Sequence, residues 1–541
     1  MFLKIFDLKK VLSLRRKNIL LIPSALLVGL MYFFSHPRYN IYIFAFLFYL
    51  PAHIFWRVHK SISPFFWGGF FSFFITIHWI THAITYYGGF PYIFAILPLT
   101  LLSLTLAGFF LLFAYIREKT KKLGLPFSFS DPVIWVAMEF IKSWFLTGFP
   151  WALVGYSLWK KTTFIQIADI GGVYAVSFFV ITIQGFLCDI IDVILLKEKE
   201  EKKKILKRLI FSSSFALFVF AFTLIYGVKR KDEIKKYVDG VKEEIPAVIV
   251  QPSIPQDVKW TPDFKIYSLE QNINLSFSAI DFPYSEVILV WPETALTFFF
   301  EREAELQSKV LGLSKKGFFI VAGGIGISEQ IKNGRINLTY YNRAYLVEPD
   351  GKYSYYDKTH LVIFGEYIPL RSFLEKIPFI KNLIDRVEKV AGDFEPGKEV
   401  RAVGEKIRLG IPICFESIFP SIVRKMVQDG AKIIAVITND GWFGYSSGPY
   451  QHFSVSALRA VETRRFVLRS ANTGISGAFS PTGDLIFQTE LLEKTSFLVK
   501  VKPLDIKTFY VKYGDVFSIA CLIITSFFVI THFYLSKRKS R

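Results

Sequence analysis

The sequence predicts an α-helical membrane bundle carrying an α/β domain inserted on its outer side. Apolar runs long enough to cross about 30 Å of hydrocarbon recur through the first 227 residues and once more at 514–535. Between them, residues 228–512 have ordinary soluble composition and alternate short β-branched runs with helical patterns. Charge divides the same way: residues 1–227 hold 23 Lys and Arg against 10 Asp and Glu, whereas residues 228–512 hold 38 against 34. Most of the net +20 therefore belongs to the membrane part, which argues against a basic face for nucleic acid.

The runs place spans near 19–35, 39–56, 64–86, 91–116, 132–148, 164–195, 206–227 and 514–535, about eight in all. The fifth is short and carries Glu139 and Lys142. The basic N-terminal segment with its apolar run has no small-x-small cleavage site and reads as an uncleaved first helix. Lys and Arg alternate between connections: 23 fall in the N-terminus, every second connection and the C-terminal tail, against Arg38, Lys160 and Lys161 in the others. Positive charge is retained in the cytoplasm, so both termini are expected there and residues 228–512 outside. The expected units are 1–227 with seven spans, 228–512 as the external domain, and 513–541 as the last span and basic tail.

Within the external domain, Pro246–Gln251 and Val287–Val290 read as strands, the second ending at Trp291-Pro292-Glu293. Phe318–Ala322 is a third, stopped by Gly323-Gly324. Tyr340–Val347 and Tyr353–Tyr356 form a hairpin around Pro349-Asp350-Gly351. Arg408–Ile413 is a strand running into Cys414, followed by a helix with Ser417 as N-cap, Pro420 in its first turn and Gly430 as its stop. Ile433–Ile437 is a strand, Gln451–Phe466 an amphipathic helix, and Val467–Ser470 with the turn Pro481-Thr482-Gly483 closes the domain.

Three residues offer the parts of an acyl-transfer machine. Glu293 supplies a carboxylate base, Lys358 a cation, and Cys414 a thiol with no other cysteine between Leu195 and Ala520. A strand-to-helix turn projects a thiol beyond the sheet edge, where Lys358 and the N–H of Phe415 can receive an oxyanion. Glu366 and Glu416 can hold Lys358 or assist proton transfer. Singly, a Glu or Lys at a strand end is an ordinary surface charge, and a lone cysteine an ordinary core residue. Their joint order favours chemistry.

That order, with Tyr356-x-Lys358-x-His360-Leu361 and Cys414-x-Glu416, resembles the nitrilase superfamily, whose fold is an αββα sandwich. A domain of that kind before the last of eight spans is similar to the apolipoprotein N-acyltransferase family. Gly148-Phe149-Pro150-Trp151, His360-Leu361-Val362 with Phe364-Gly365-Glu366-Tyr367, Asn439-Asp440-Gly441-Trp442-Phe443 and Arg469-Ser470-Ala471-Asn472-Thr473-Gly474 carry the narrower resemblance. The chain departs from the pattern at Ile363, Phe415 and Pro252-Ser253, positions that bear on substrate fit and not on the triad. The resemblance implies N-acylation of a diacylglyceryl-cysteine lipoprotein in the bacterial inner membrane. A phospholipid, typically phosphatidylethanolamine, donates its sn-1 acyl chain through a Cys414 thioester, with no metal or organic cofactor. It also gives Trp260, Trp442, Asn439 and Gly148–Trp151 a substrate-contact role.

Phe298, Phe299 and Phe300, directly after the proposed base, and the mixed segment Phe373–Ile384 are expected to frame a lipid entrance. Packing in the core is the alternative reading of both. His78 and His82 lie one helical turn apart but lack the Glu of a zinc protease, and Gly323-Gly324-Ile325-Gly326 reads as a strand-ending turn. Two rival functions remain: a membrane-bound nitrilase-type amidase, for which eight spans are superfluous, and a transporter with an external binding domain, against which the spans show few ionisable residues.

Overall fold

The structure is a computed structural model that describes residues 17–195, 199–256, 259, 261–280, 285–332, 335–369, 371, 376 and 393–539. Trp260 and nearly all of Phe373–Ile384 lie outside the described residues. Among the described residues, four helices are long and apolar enough to cross a membrane: Tyr92–Leu123, Ala168–Leu195, Leu206–Gly240 and Val516–Arg538. A shorter apolar helix covers Ile19–Ser35. Other expected spans are interrupted. The stretch 39–56 is a 3-10 turn at Tyr42–Phe46 followed by the helix Leu50–His59. The stretch 64–86 is the helix Ser63–Thr76 followed, after a break, by a one-turn helix Ile80–His82 and a π-helical turn Ala83–Tyr87. The helix Phe127–Lys142 ends before Gly148, whose φ of 83° and contact with the Ser143 carbonyl leave no room for a Cβ.

The helix Lys199–Gly240 does not stop at residue 227. At 42 residues it is about 63 Å long, roughly twice the hydrocarbon thickness, and it leads directly into the first strand.

The α/β domain consists of two stacked sheets. The first has the order β11 (Thr495–Val501), β1 (Ile245–Gln251), β2 (Val287–Val290), β3 (Phe318–Lys332), β4 (Arg335–Val347), β5 (Tyr353–Asp357). The second has the order β10 (Leu485–Gln488), β9 (Gly477–Phe479), β8 (Val467–Ala471), β7 (Ile433–Thr438), β6 (Leu409–Gly410). β1, β2 and β3 are mutually parallel, as are β6, β7 and β8. Parallel strands are covered on both faces, which is why these runs are almost wholly apolar. Alternate residues serve alternate faces. Val248, Val250, Leu289 and Ile320 pack with Leu269, Leu306 and Val310 of the helices Pro262–Ser278 and Ala304–Ser314. Ala247, Ile249, Ile288, Val290 and Phe319 join the inner core shared with Ile434, Val436 and Leu468 of the second sheet. Helices Pro420–Gln428 and Gly448–Thr463 pack on that second sheet, completing an αββα order.

Three expectations are corrected. β3 does not stop at Gly323-Gly324 but continues to Lys332, paired with β4 throughout. Gly323 is required there because a Cβ would lie 2.6 Å from the Glu293 Cα, so the strand passes hard against the turn carrying Glu293. The helix Gly448–Thr463 is not amphipathic: every residue but Tyr450 is buried, because the helix lies between the second sheet and the kinked helix Ala168–Leu195. At that kink, Gly171 and Gly172 leave helical geometry and the Val173 N–H donates to Glu462 at 2.8 Å. Finally, the domain does not close at the Pro481 turn. β11 returns to pair antiparallel with β1, an apolar-polar alternation the sequence reading passed over.

Candidate active site

Cys414 sits directly after Ile413, which bridges to Ile437 of β7, and opens a 3-10 turn, Cys414–Ile418, before the helix beginning at Pro420. Its φ is 50°, a left-handed conformation costly for a non-glycine residue. Glu416 holds the turn in place. Its buried carboxylate accepts from Ile413 N at 2.9 Å, Tyr356 OH at 2.6 Å, Thr359 N at 2.8 Å and Thr359 Oγ1 at 2.9 Å. Glu416 thus ties the end of β5 to the cysteine turn and is hydrogen-bonded to the segment following Lys358, not to Lys358 itself. Ser417, expected as an N-cap, donates its hydroxyl to the Cys414 carbonyl at 2.8 Å, and the helix starts three residues later.

Glu293 lies on the turn after β2 and Lys358 directly after β5, both buried. Lys358 Nζ is 2.8 Å from Glu366 Oε1 and 3.8 Å from Glu293 Oε1. Asn342, on β4, donates at 2.7 Å to each of these carboxylates, and the Asn439 N–H donates to Glu293 Oε2 at 2.8 Å. A second buried lysine, Lys259, donates to the Glu293 carbonyl at 3.2 Å and to Thr294 Oγ1 at 2.6 Å. Buried charges persist only when paired and hydrogen-bonded, and here each carboxylate has both.

The electrostatics follow. Burial raises the Glu293 pKa and Glu366 adds to the rise, while Lys358 opposes it. Burial works against the Lys358 cation, but Glu366, Glu293 and Cys414 outweigh it and hold the pKa above the usual lysine value. Burial and then Glu293 push the Cys414 thiol up, with Lys358 pulling the other way. The resting thiol is therefore protonated, and a nucleophilic step needs a base beside it. Burial and then Lys358 lower His360 to about 4, leaving a neutral ring at physiological pH.

The membrane bundle closes one side of this turn. Trp151 stacks 6.4 Å from Phe415 and 5.5 Å from His452, and its indole N–H donates to Gln451 Oε1 at 2.7 Å. Trp79 donates to the same oxygen at 3.2 Å, and Gln451 Nε2 donates to the Thr76 carbonyl at 3.0 Å. Glu139 and Lys142, unexpected within a span, hold the connection that delivers Trp151: Glu139 accepts from Val154 N at 2.8 Å and Lys142 donates to the Trp151 carbonyl at 3.2 Å. Pro150 and Trp151 are buried and Phe149 half-buried against Trp151. Trp442 is half-buried with its ring 4.6 Å from Tyr87, and Asn439 Nδ2 donates to Gln256 at 2.6 Å.

The expected lipid entrance at Phe298–Phe300 is overturned. Leu296 N donates to Gly323 O at 2.9 Å, so the run folds back beside β3, and Phe298 and Phe300 are buried in the outer core while Phe299 is half-buried. Phe300 lies 4.9 Å from Tyr345 and 5.2 Å from Tyr353. Exposed aromatics include Tyr86, Trp144, Phe145, Phe364 and Tyr445. His78 is bonded to Tyr92 OH at 2.9 Å and His82 stacks 5.2 Å from Tyr86. A cavity of about 810 Å³ lies between Ser143–Thr147 and Thr359–Leu361; its lining includes His360 and Phe419 but none of Glu293, Lys358 and Cys414. Sequence reasoning missed Asn342, Lys259, Gln256 and His452.

The paired sheets with helices on their outer faces form a carbon-nitrogen hydrolase domain, and the carbon-nitrogen hydrolase family model matches residues 249–508. The model for the apolipoprotein N-acyltransferase N-terminal domain matches residues 28–186. An apolipoprotein N-acyltransferase of Geobacter metallireducens is 35% identical over 448 residues, 82% of each chain. One of Rickettsia prowazekii is 32% identical over 489 residues, 89% of this chain and 90% of that one. Among solved structures, Saccharomyces cerevisiae Nit3, a member of branch 10 of the nitrilase superfamily, is 17% identical at a TM-score of 0.34 over 49% of this chain and 92% of that one. The chain belongs to the apolipoprotein N-acyltransferase family.

Proposed function

We propose that this membrane enzyme transfers an acyl chain from a phospholipid, with phosphatidylethanolamine the favoured donor, to the α-amine of a diacylglyceryl-cysteine lipoprotein. The observation that carries the reading is the grouping of buried Glu293 and Lys358 with the half-buried Cys414, the thiol on a left-handed turn and Lys358 bonded to Glu366. Glu293 takes the thiol proton as Sγ attacks the ester carbonyl. Lys358 and the Phe415 N–H hold the oxyanion. Its collapse expels lysophospholipid, which leaves with the proton from Glu293, and the acyl group stays on Cys414 as a thioester. The lipoprotein amine then attacks, Glu293 receives its proton, and the tetrahedral adduct returns the thiol and the N-acylated product.

Eight membrane passages, cytoplasmic termini and a catalytic domain on the periplasmic face of the bacterial inner membrane fit the alternation of basic connections. In that arrangement the helices Ile19–Ser35 and Phe127–Lys142 and the interrupted stretches 39–59 and 63–87 count as passages alongside the four long helices, and the domain starts beyond the helix ending at Gly240. Trp442 and the exposed Tyr86, Phe364 and Tyr445 are the side chains we assign to lipid contact. The test is transfer of a labelled acyl chain from phosphatidylethanolamine to a synthetic diacylglyceryl lipopeptide. Transfer by the wild type and none by Cys414→Ser is expected; undiminished transfer by Cys414→Ser refutes the reading.

A further inference from the structure

The carbonyl of the cysteine turn is gripped from behind. Cys414 O accepts the Ser417 hydroxyl at 2.8 Å and has His452 Nε2 at 3.0 Å. Nε2 is also 2.9 Å from Ser417 Oγ. A carbonyl oxygen only accepts, and Ser417 has one proton, which goes to that oxygen. Nε2 therefore carries a hydrogen and is the second donor.

The far side of the ring faces the buried Asp440–Arg469 ion pair. His452 Nδ1 lies 2.8 Å from Asp440 Oδ1 and 3.0 Å from Arg469 Nη2. Arg469 pairs with Asp440 Oδ2 at 2.7 Å, and the Thr438 hydroxyl donates to Asp440 at 2.9 Å. His452 and Arg469 are fully buried, Asp440 nearly so, and Trp151 and Phe443 close over the imidazole at 5.5 and 5.8 Å. Nothing in the acyl-transfer steps uses these groups.

Two donors on one oxygen fix the orientation of a peptide plane. In a trans peptide the carbonyl and the following N–H point in opposite directions. Pinning the Cys414 carbonyl toward His452 therefore aims the Phe415 N–H away from the helix Gly448–Thr463. Without the grip, the strained turn at Cys414, with φ at 50°, relaxes by rotating that plane and swings the amide off its target.

We propose that His452, held by Asp440 and Arg469, is a positioning residue that acts through the Cys414–Phe415 peptide to aim the amide receiving the oxyanion. It rests on the reading of Cys414 as nucleophile and the Phe415 amide as oxyanion donor. The grip serves both half-reactions, since the oxyanion forms on the way into the thioester and again on the way out.

The test is isotope-edited infrared spectroscopy of the full-length enzyme, acylated from a phospholipid labelled with carbon-13 at its ester carbonyls. An amide aimed at the thioester carbonyl polarises it and lowers its stretching frequency. The wild-type band is expected below that of the same thioester on a small soluble thiol. His452→Phe keeps an aromatic ring against Trp151 but has no donor; its band is expected to move up toward the free value. Its kcat is expected to fall about 10²–10³-fold with KM nearly unchanged. His452→Gln, which offers an amide N–H in place of Nε2–H, is expected to restore most of the shift and the rate. Should His452→Phe not accumulate as folded protein, Ser417→Ala removes the other donor to the same oxygen and is expected to shift the band the same way. An unmoved band in folded His452→Phe or Ser417→Ala overturns the proposal. Absence of an acyl band in the wild type overturns it together with the thioester reading beneath it.

Discussion

Glu366→Gln removes one negative charge from the site and keeps nearly the same size. In the structure Glu366 Oε1 bonds Lys358 and Asn342, and Oε2 accepts from Val362 N at 2.8 Å. A glutamine can keep its oxygen on Lys358, but its NH₂ then faces the Val362 N–H, donor against donor. The larger effect is electrostatic. Glu293 Oε1 and Glu366 Oε1 are each 2.7 Å from the same Asn342 nitrogen, so they are no more than about 5 Å apart. Two like charges at that distance repel by roughly 3 kcal/mol at an effective dielectric near 20, equivalent to about 2 pKa units. Glu366 is one reason the Glu293 pKa is raised, so its removal makes Glu293 a weaker base and turns Lys358 toward it. A general base works when ionised, so single-turnover acylation of the wild type rises with pH through the raised Glu293 pKa. In Glu366→Gln that rise is expected about 1–2 pH units lower, with a plateau about 10²-fold slower. An unshifted acid limb with a plateau within about threefold of the wild type would refute the coupling of the two carboxylates.

Lys259 gives a pH dependence of stability. Burial lowers its pKa from 10.5 to about 7, so between those values the unfolded chain binds a proton the folded chain does not. Stability then rises with pH above about 7, by about 1.4 kcal/mol per unit, and this increment should vanish in Lys259→Met, as read by thermal unfolding at pH 7 and 9. Phe298→Ser and Phe300→Ser delete buried rings and should cost about 3–5 kcal/mol of stability, slowing acylation equally from bilayer lipid and from a soluble short-chain thioester. Selective slowing with bilayer lipid would restore the entrance reading. Gln451→Leu strands the buried indole N–H groups of Trp79 and Trp151, about 1–3 kcal/mol each, and should lower the unfolding temperature; an unchanged temperature would mean the junction between bundle and domain is not held there.

The strand ends that carry the chemistry were legible because their local signals agree. The apolar run to Trp291-Pro292-Glu293 and the Pro349-Asp350-Gly351 hairpin fell where the sequence put them, since buried parallel strands and turn residues leave local marks, whereas the strand expected over Arg408–Ile413 is regular only at Leu409–Gly410, with Ile413 bridging to Ile437. What was not legible depends on contacts between distant segments. Phe298–Phe300 reads as exposed only if β3 is thought to stop at Gly323; once β3 continues, the run has a neighbour to pack beside. The burial of the helix Gly448–Thr463 is invisible because its Arg459 and Glu462 mimic a solvent face, while their partners Tyr156 and Val173 come from the membrane bundle. His452 went unread for the same reason: Asp440, Arg469 and Ser417 reach it from three other elements. Interruptions in the expected spans were hidden by hydropathy, which does not separate the 3-10 turn Tyr42–Phe46 from a helix.

The central claim is that the acyl chain passes through the half-buried thiol of Cys414. Intact-mass and peptide mass spectrometry after incubation with a phospholipid of uniform chain length tests it directly. One acyl mass on Cys414, removable by hydroxylamine, with an equal amount of lysophospholipid released and no adduct in Cys414→Ala, is the expected result. Full transfer activity without an adduct, or an adduct on the buried Cys188 or Cys521 instead, would contradict it.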